Sequence, residues 1–410
     1  MITNVDRLSV SIDLDGKEIE VGELVRSQKK IYFKYHTDFL GKGINISPFK
    51  MPLTNDILTA DINFFDGLLG VFNDSLPDGW GRLLLDRNLT AQGILPGKIG
   101  PLDRLAHVGT GGMGALIYRP AIPPPGMKVD RLVDMDEIAK QITQVLEGNS
   151  EDVIDDLYKM GGSSGGARPK ILVGYNRHTD HLITDNENMP EGYEHWIIKF
   201  PSSTDRPDIA NIEYAYYKMA LDADIEMSQC KLFKGKSGRE YFGTKRFDRE
   251  KGKRFHMHSA SGLMHDNFRI SNMDYGHLMD CAFKLENHVG AYDKILRLAT
   301  FNVYAHNRDD HSKNFSFLMD HTGKWRFSPA YDLTFSFSSH GMHSTLVDGE
   351  SENPGRVQLT SLADQFGVKN PDIIIDDICD VVADWKKYAK EAGVSKMSFE
   401  LISKTLHGMM

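Results

Sequence analysis

Arg308-Asp309-Asp310-His311-Ser312-Lys313-Asn314 is the stretch on which the reading of this chain turns. It sets an Asp and an Asn at D-x-x-x-x-N spacing shortly after an apolar, helix-like run, Ile295-Leu296-Arg297-Leu298-Ala299-Thr300-Phe301. A second Asp follows in Ser328-Pro329-Ala330-Tyr331-Asp332-Leu333. A loop of this length turns a carboxylate toward an attacking hydroxyl and an amide toward a metal, both facing one pocket. A later Asp then holds that metal against phosphates. Taken alone the pattern has a rival, because His306, Asp309, Asp310 and His311 are also ligand types for a hydrolytic metal.

At 410 residues the chain is too long for one ordinary core, so two or three domains are expected. The 40% hydrophobic and 26% charged shares fit a globular chain rather than a disordered or fibrous one. A net charge of −9 argues against a dedicated nucleic-acid binder, which carries a basic balance or patch. The three cysteines, Cys230, Cys281 and Cys379, are far apart and form no CxxC pair. Zinc-knuckle and redox readings therefore fall away, and the reducing cytoplasm is the simplest compartment. No basic region followed by an apolar run opens the sequence, so no signal peptide is expected. No apolar stretch approaches the ~20 residues that span a bilayer.

The first part of the chain reads as β. Leu8, Val10, Ile12 and Leu14 alternate with polar residues ahead of an Asp15-Gly16 turn, and Ile31 to Tyr35 is a further strand. Phe64 to Leu69 and Trp80 to Leu85 read as helices, the second after the Pro77-Asp78-Gly79 break. Gly109-Thr110-Gly111-Gly112-Met113-Gly114 leads into a strand, and Pro120 to Pro125 marks a boundary. Residues 1–122 are assigned to a first domain and 123–249 to a nucleotide-binding lobe. That lobe holds a helix from Met135 to Leu146, strands at Ile171–Gly174, His195–Phe200 and Tyr241–Phe247, and a helix from Asn211 to Met219. Residues 250–410 read as mainly helical, at Met273–Leu285, Tyr292–Ala305, Ile373–Ala392 and Ser398–Leu406. The exception is a short hairpin within Phe315–Leu333 that carries Asp332.

Four features bear on chemistry. Gly161-Gly162-Ser163-Ser164-Gly165-Gly166-Ala167-Arg168-Pro169-Lys170 is not a Walker A sequence. Its glycines let backbone amides approach phosphate oxygens, or else mark a surface loop. Lys199 lies among Ile197, Ile198 and Phe200. It either points to solvent or needs a partner such as a phosphate, because an unpaired buried ammonium is costly. Glu213, on the following helix, is either solvated or the partner of Lys199. His256 and His258 have H-x-H spacing but no nearby acidic or cysteine ligand, so a metal there is not expected. What lifts these features together is their order. A glycine-rich turn, strand lysine, acidic helix, linker strand, D-x-x-x-x-N loop and later Asp follow one another as a two-lobed protein kinase requires.

At this point the chain resembles the HipA family of bacterial serine/threonine kinases, the toxin components of toxin–antitoxin pairs. The resemblance rests on residues 163–170, 195–201, 211–214 and 245–249, on Asp309-Asp310-His311-Ser312-Lys313-Asn314, and on Pro329-Ala330-Tyr331-Asp332-Leu333. Asn73-Asp74-Ser75-Leu76-Pro77-Asp78-Gly79-Trp80 also resembles the family's first domain. The resemblance implies an α+β, two-lobed kinase-like fold with an N-terminal α/β subdomain and an all-α C-terminal lobe. It implies ATP and Mg2+ as cofactors, with Asp309 the catalytic base and Asn314 and Asp332 the metal ligands. Lys199 would contact the ATP phosphates, and Ser164, Gly165, Gly166, Ala167, Arg168 and Lys170 would form the phosphate loop. Lys245, Arg246 and Phe247 would be the hinge facing adenine, while His311 and Tyr331 would line the nucleotide pocket. Ser163, with Ser164 as its neighbour, matches the serine whose autophosphorylation ejects the loop and switches the kinase off.

Two positions depart from the family pattern. Its loop commonly reads G-A-Q-E-K, whereas here it is Gly166-Ala167-Arg168-Pro169-Lys170, and Pro169 lacks a backbone N–H for a phosphate. Asp310 stands where glycine is common and is expected to add negative charge beside the base. The resemblance further implies a DNA-binding, HipB-like antitoxin, DNA contact only through that partner, and a substrate in translation such as glutamyl-tRNA synthetase. Two other classes stay open. One is a phosphotransferase acting on a small molecule, and the other is a non-catalytic antitoxin- or repressor-binding module. The joint presence of Asp309, Asn314, Asp332 and Lys199 argues against the second, since a scaffold needs none of them.

Overall fold

The computed structural model describes residues 5–122, 132–148, 153–162, 165–184, 189–338 and 341–409. Near the N-terminus, β1 (Arg7–Leu14), β2 (Lys17–Ser27), β3 (Lys30–Tyr35), β4 (Leu58–Thr59) and β5 (Leu116–Arg119) form an antiparallel sheet in the order β4-β3-β2-β1-β5. The alternation of β1 sends Leu8, Val10, Ile12 and Leu14 into one core with Leu24, Phe33 and Phe72. Asp15 and Gly16, at φ 59° and 77°, make the left-handed two-residue turn that the twist of a hairpin favours.

Helices α1 (Thr37–Leu40), α2 (Gly70–Asn73), α3 (Gly79–Ala91) and α4 (Pro101–Val108) fill the span between β3 and β5. The helix expected over Phe64–Leu69 is instead a short 3-10 turn at Phe65–Gly67. Phe65 and Asp66 both sit at positive φ, a backbone state that cannot propagate a right-handed helix.

The second sheet follows α5 (Met135–Glu147) and α6 (Ile154–Gly161). Its strands are β6 (Lys170–Asn176), β7 (His181–Thr184), β8 (Glu194–Lys199), β9 (Cys230–Lys234) and β10 (Glu240–Lys245), in the order β7-β6-β8-β10-β9, with α7 (Ile209–Asp222) between β8 and β9. Trp80, Leu84 and Leu85 of α3 pack into the core of this sheet beside Leu157, Trp196 and Ile198. A helix that precedes residue 123 thus serves the second sheet.

The remaining strands are β11 (Arg249–Glu250), β12 (Lys253–Arg254), β13 (His256–Ser259), β14 (Ser316–Met319) and β15 (Trp325–Phe327). The helices are α8 (Ala260–Met264), α9 (Tyr275–Glu286), α10 (Gly290–Tyr304), α11 (Arg356–Gln365), α12 (Pro371–Ala383), α13 (Trp385–Ala392) and α14 (Lys396–His407). The expected all-α lobe is thereby amended. Helices dominate, but β13 joins the expected hairpin as a third strand in the order β13-β14-β15. The helix expected over Ile373–Ala392 is two helices that meet at Asp384.

The seam between the first sheet and this half is polar and closed. The Asp74 carboxylate accepts hydrogen bonds from the Ser259 amide and hydroxyl, at 2.7 Å each, and lies 2.6 Å from His258 Nδ1. His256 Nε2 lies 2.9 Å from the Ile46 carbonyl, and burial pushes this imidazole down to about 3. The H-x-H pair is therefore structural, a neutral buried ring and a carboxylate-bound one.

Candidate active site

The floor of the cleft is two lysines on neighbouring strands. β6 and β8 pair so that Lys170 stands opposite Lys199. Both side chains are buried, and burial alone would push each ammonium down. Lys199 is nevertheless held above the ordinary lysine value, because its ammonium bonds the carboxylates of Asp332 and of Glu213 on α7. The pairing with Glu213 considered from the sequence is thus present as an ion pair. Asp332 is in turn held well below the usual carboxylate range. Burial opposes ionisation there, but Lys199 and Lys170 outweigh it. Lys170 lacks such direct carboxylate contact. Its ammonium donates to the Gly165 carbonyl at 2.6 Å, and its pKa is lowered by burial.

The glycine-rich loop lies over these lysines. Ser163 and Ser164 are outside the described residues. Gly166 is at φ 91°, a left-handed conformation that favours glycine, and a Cβ there would stand 2.4 Å from Lys170 Nζ. Arg168 reaches Asp205 at 3.1 Å and Glu213 at 3.9 Å. Pro169, which offers no N–H, uses its carbonyl to accept the Phe200 amide at 2.8 Å and joins the loop to the end of β8.

Across the cleft, α10 delivers the D-x-x-x-x-N loop. Asp309 and Asp310, though adjacent, face opposite ways. The Asp309 side chain is 60% exposed, and His311 Nε2 lies 3.9 Å from it. Its pKa is raised, chiefly by partial burial; His311 opposes the rise and the charge of Asp332 adds to it. The Asn314 amide donates to the Asp309 carbonyl at 2.7 Å and bends the loop back on itself. Asp332 sits at φ 55°, a left-handed conformation that Asp tolerates better than most residues.

Asp310 is closed to water instead. It accepts from the Tyr275 hydroxyl at 2.9 Å and from the amides of Ser344 and Thr345 at 2.8 and 3.3 Å, and lies 3.1 Å from His343. The negative charge expected beside the base is therefore turned into the core and solvated by donors. It does less to raise Asp309 than burial or Asp332 does. The metal-hydrolase reading loses its ligands for the same reason. His306 meets the Ser336 carbonyl and stacks on Phe335. Among the described residues no three His, Cys, Asp or Glu side chains converge on a metal position.

The expected pocket walls are partly assembled. The Tyr331 hydroxyl donates to the Lys313 carbonyl at 2.6 Å, and the Tyr331 ring lies 5.5 Å from that of Phe247. Lys245 and Arg246 turn their side chains elsewhere, to Glu194 at 2.6 Å and Asp248 at 2.8 Å. Their amides are used within the sheet, by the Gln229 and His195 carbonyls. Of the three hinge residues, Phe247 is the one whose side chain faces Tyr331. Oxygen donors on Asp332 and Asn314 suit a hard cation such as Mg2+, which takes one or two protein ligands and completes its shell with phosphate and water.

Sequence reasoning gave no role to Asp78 or to its partner Lys313. Asp78 reaches both loops, accepting from the Gly166 amide and, at 2.8 Å, from Lys313. Only the Leu76-Pro77-Asp78-Gly79-Trp80 string could have signalled it.

Comparison with known proteins agrees with this architecture. A family model described as HipA N-terminal domain matches residues 12–119, and one described as HipA-like C-terminal domain matches residues 162–386. A solved structure of HipA from the Shewanella oneidensis MR-1 toxin–antitoxin system, with HipB and its operator DNA, is 19% identical and superposes with a TM-score of 0.67. The match covers 97% of this chain and 95% of that one. The Helicobacter pylori proinflammatory kinase CtkA matches at 11% identity and a TM-score of 0.38, over 53% of this chain and 86% of that one. No curated protein matches.

Proposed function

The chain belongs to the HipA family, and on that premise we propose that it is an ATP- and Mg2+-dependent serine/threonine protein kinase, the toxin of a toxin–antitoxin pair. The observation that carries this reading is the cleft itself. A buried lysine is held charged between Glu213 and Asp332, and an open carboxylate, Asp309, feels the charge of Asp332.

In this reading Lys199 and Lys170 meet phosphate oxygens at the cleft floor, and Glu213 keeps Lys199 aimed there. The glycine-rich loop covers the phosphates from above. Asn314 and Asp332 would hold Mg2+, and the metal would offset phosphate charge. Asp309 orients the substrate hydroxyl and takes its proton, a role that requires the ionised carboxylate. Phe247 and Tyr331 flank the adenine. Ser163 or Ser164 receives phosphate in self-inactivation.

The Shewanella protein is seen with HipB and operator DNA. By analogy we assign this chain a HipB-like, DNA-binding antitoxin, with DNA reached through that partner. The protein substrate is placed in translation, an aminoacyl-tRNA synthetase such as glutamyl-tRNA synthetase being the leading choice, and the site of action in the cytoplasm. Among the described residues no helix is long and apolar enough to cross a membrane.

Peptide mass spectrometry after incubation with Mg-ATP tests the reading. Phosphate on Ser163 or Ser164 is expected in the unaltered chain and absent in Asp309→Gln. Equal phosphate in both would remove Asp309 from the chemistry.

A further inference from the structure

Asp78 occupies the N-cap position of α3, a 13-residue helix, yet its side chain makes no hydrogen bond to that helix. An Asp at this position ordinarily accepts from the amides two or three residues on and so stabilises the helix start. Here both oxygens are used elsewhere. One accepts the Gly166 amide of the glycine-rich loop, and the other accepts Lys313 of the D-x-x-x-x-N loop at 2.8 Å.

The two residues that follow grip the same loop. Gly79 is at φ 42°, and a Cβ there would stand 2.5 Å from the Gly166 carbonyl. The Trp80 amide donates to that carbonyl at 3.0 Å, and its indole N–H donates to the Lys170 carbonyl at 3.1 Å. Three consecutive residues from outside both loops therefore fix the loop that covers the cleft. The first of them also fixes the loop that carries Asp309 and Asn314.

We propose that Asp78 is a positioning residue for phosphoryl transfer. It ties the glycine-rich loop to the catalytic loop, and so holds the two loops at a common depth against the phosphates of ATP. The inference rests on the kinase reading above. It assigns a purpose to the Leu76-Pro77-Asp78-Gly79-Trp80 string, which the cleft chemistry otherwise leaves unused. Lys313 is suited to this bracing. Its ammonium is mostly covered, its carbonyl is bonded by Tyr331, and its neighbour Asn314 bonds Asp309.

The test is calorimetric titration of the full chain with Mg-ATP, for the unaltered protein, Asp78→Asn, Lys313→Met and the double variant, with thermal unfolding of each. Asn keeps the size of the side chain and one acceptor, so the chain is expected to fold with a midpoint close to that of the unaltered protein. Losing the charged link between Asp78 and Lys313 predicts at least about tenfold weaker binding in either single variant. The double variant should bind no worse than the weaker single, because both break one link. A merely structural residue would lower the unfolding midpoint and leave affinity unmoved. Asp78→Asn with less than about fivefold weaker binding, or with tighter binding, overturns the proposal. If the unaltered chain binds no Mg-ATP, the kinase reading falls first and this inference with it; normal binding with a silent Asp78→Asn removes this inference alone.

Discussion

In the cleft, Asp309 keeps 60% of its side chain open to water, and His311 lies as far as 3.9 Å from it. In the seam behind the cleft, Asp248 is closed to water and gripped at 2.8 Å by Arg246, at 2.7 Å by Arg249 and at 2.7 Å by the Gly114 amide. Arg249 continues to the carbonyls of Gly112 and Gly114, at 2.9 and 2.7 Å. The same residue type does opposite work in the two places. A carboxylate whose lone pairs are all occupied cannot take a proton from a substrate, but it can hold two parts of a chain together. One left open destabilises its surroundings slightly and remains available for chemistry. Asp309 and Asp310 repeat the contrast within two residues.

The comparison is broken most severely at the seam. Asp248→Ala removes the carboxylate that offsets two buried guanidinium charges. It should destabilise the chain by about 3–5 kcal/mol in a denaturant titration, whatever remains of activity. The pH sense follows from the pKa of Asp248, which Arg246 and Arg249 depress against the effect of burial. Its contribution is full above the unfolded-state value of about 3.9 and is lost as pH falls toward the folded value. An unchanged denaturation midpoint would mean that the Arg–Asp cluster is not what closes the seam.

A smaller loss is expected at Asp310→Asn. The amide keeps one acceptor but cannot satisfy the Ser344 and Thr345 amides and the Tyr275 hydroxyl together, at a cost of about 1–3 kcal/mol. Stability should fall while the acid limb of phosphotransfer moves less than it does in Asp332→Asn, since Asp310 is turned from Asp309 and raises it less than Asp332 does. A displacement as large as that of Asp332→Asn would show that the donors around Asp310 do not mask its charge.

The smallest effect is a shift rather than a loss. The Asp309 pKa is raised by burial and by Asp332, and the role proposed for it as base requires the ionised carboxylate. The acid limb of kcat/KM should therefore lie above the range of an ordinary carboxylate, with rate falling as pH drops through it. Replacing Asp332 by Asn removes a like charge and should move that limb to lower pH in whatever activity survives. A limb that does not move would place the two carboxylates in separate environments.

The split between cleft and seam also explains what could be read in advance. Lys199 and Glu213 were legible only as alternatives, because a lysine inside an apolar strand points to solvent or needs a partner, and the fold alone brings Glu213 to it. The alternation of β1 was legible because period two has one structural meaning. Contacts between distant segments were opaque in both places. Asp78 and Lys313 are 235 positions apart, and nothing periodic links them. His256-Met257-His258-Ser259 is too short and too polar to announce a strand, and pairing with β14 alone makes it one. Phe64 to Leu69 misled because its apolar content resembles a helix, while positive φ at Phe65 and Asp66 has no compositional mark. Asp310 misled in the other direction, since a charge next to a charge reads as repulsion until its donors are known.

The central claim is that two carboxylates in one cleft have separable roles, Asp332 in holding the metal–nucleotide complex and Asp309 in the proton transfer. Calorimetric titration with ATP, with and without Mg2+, tests it on Asp309→Gln and Asp332→Asn beside the unaltered chain. The account predicts that Asp309→Gln binds Mg-ATP as the unaltered chain does, while Asp332→Asn loses the gain in affinity that Mg2+ provides. Lost binding in Asp309→Gln, or an undiminished Mg2+ effect in Asp332→Asn, would contradict it.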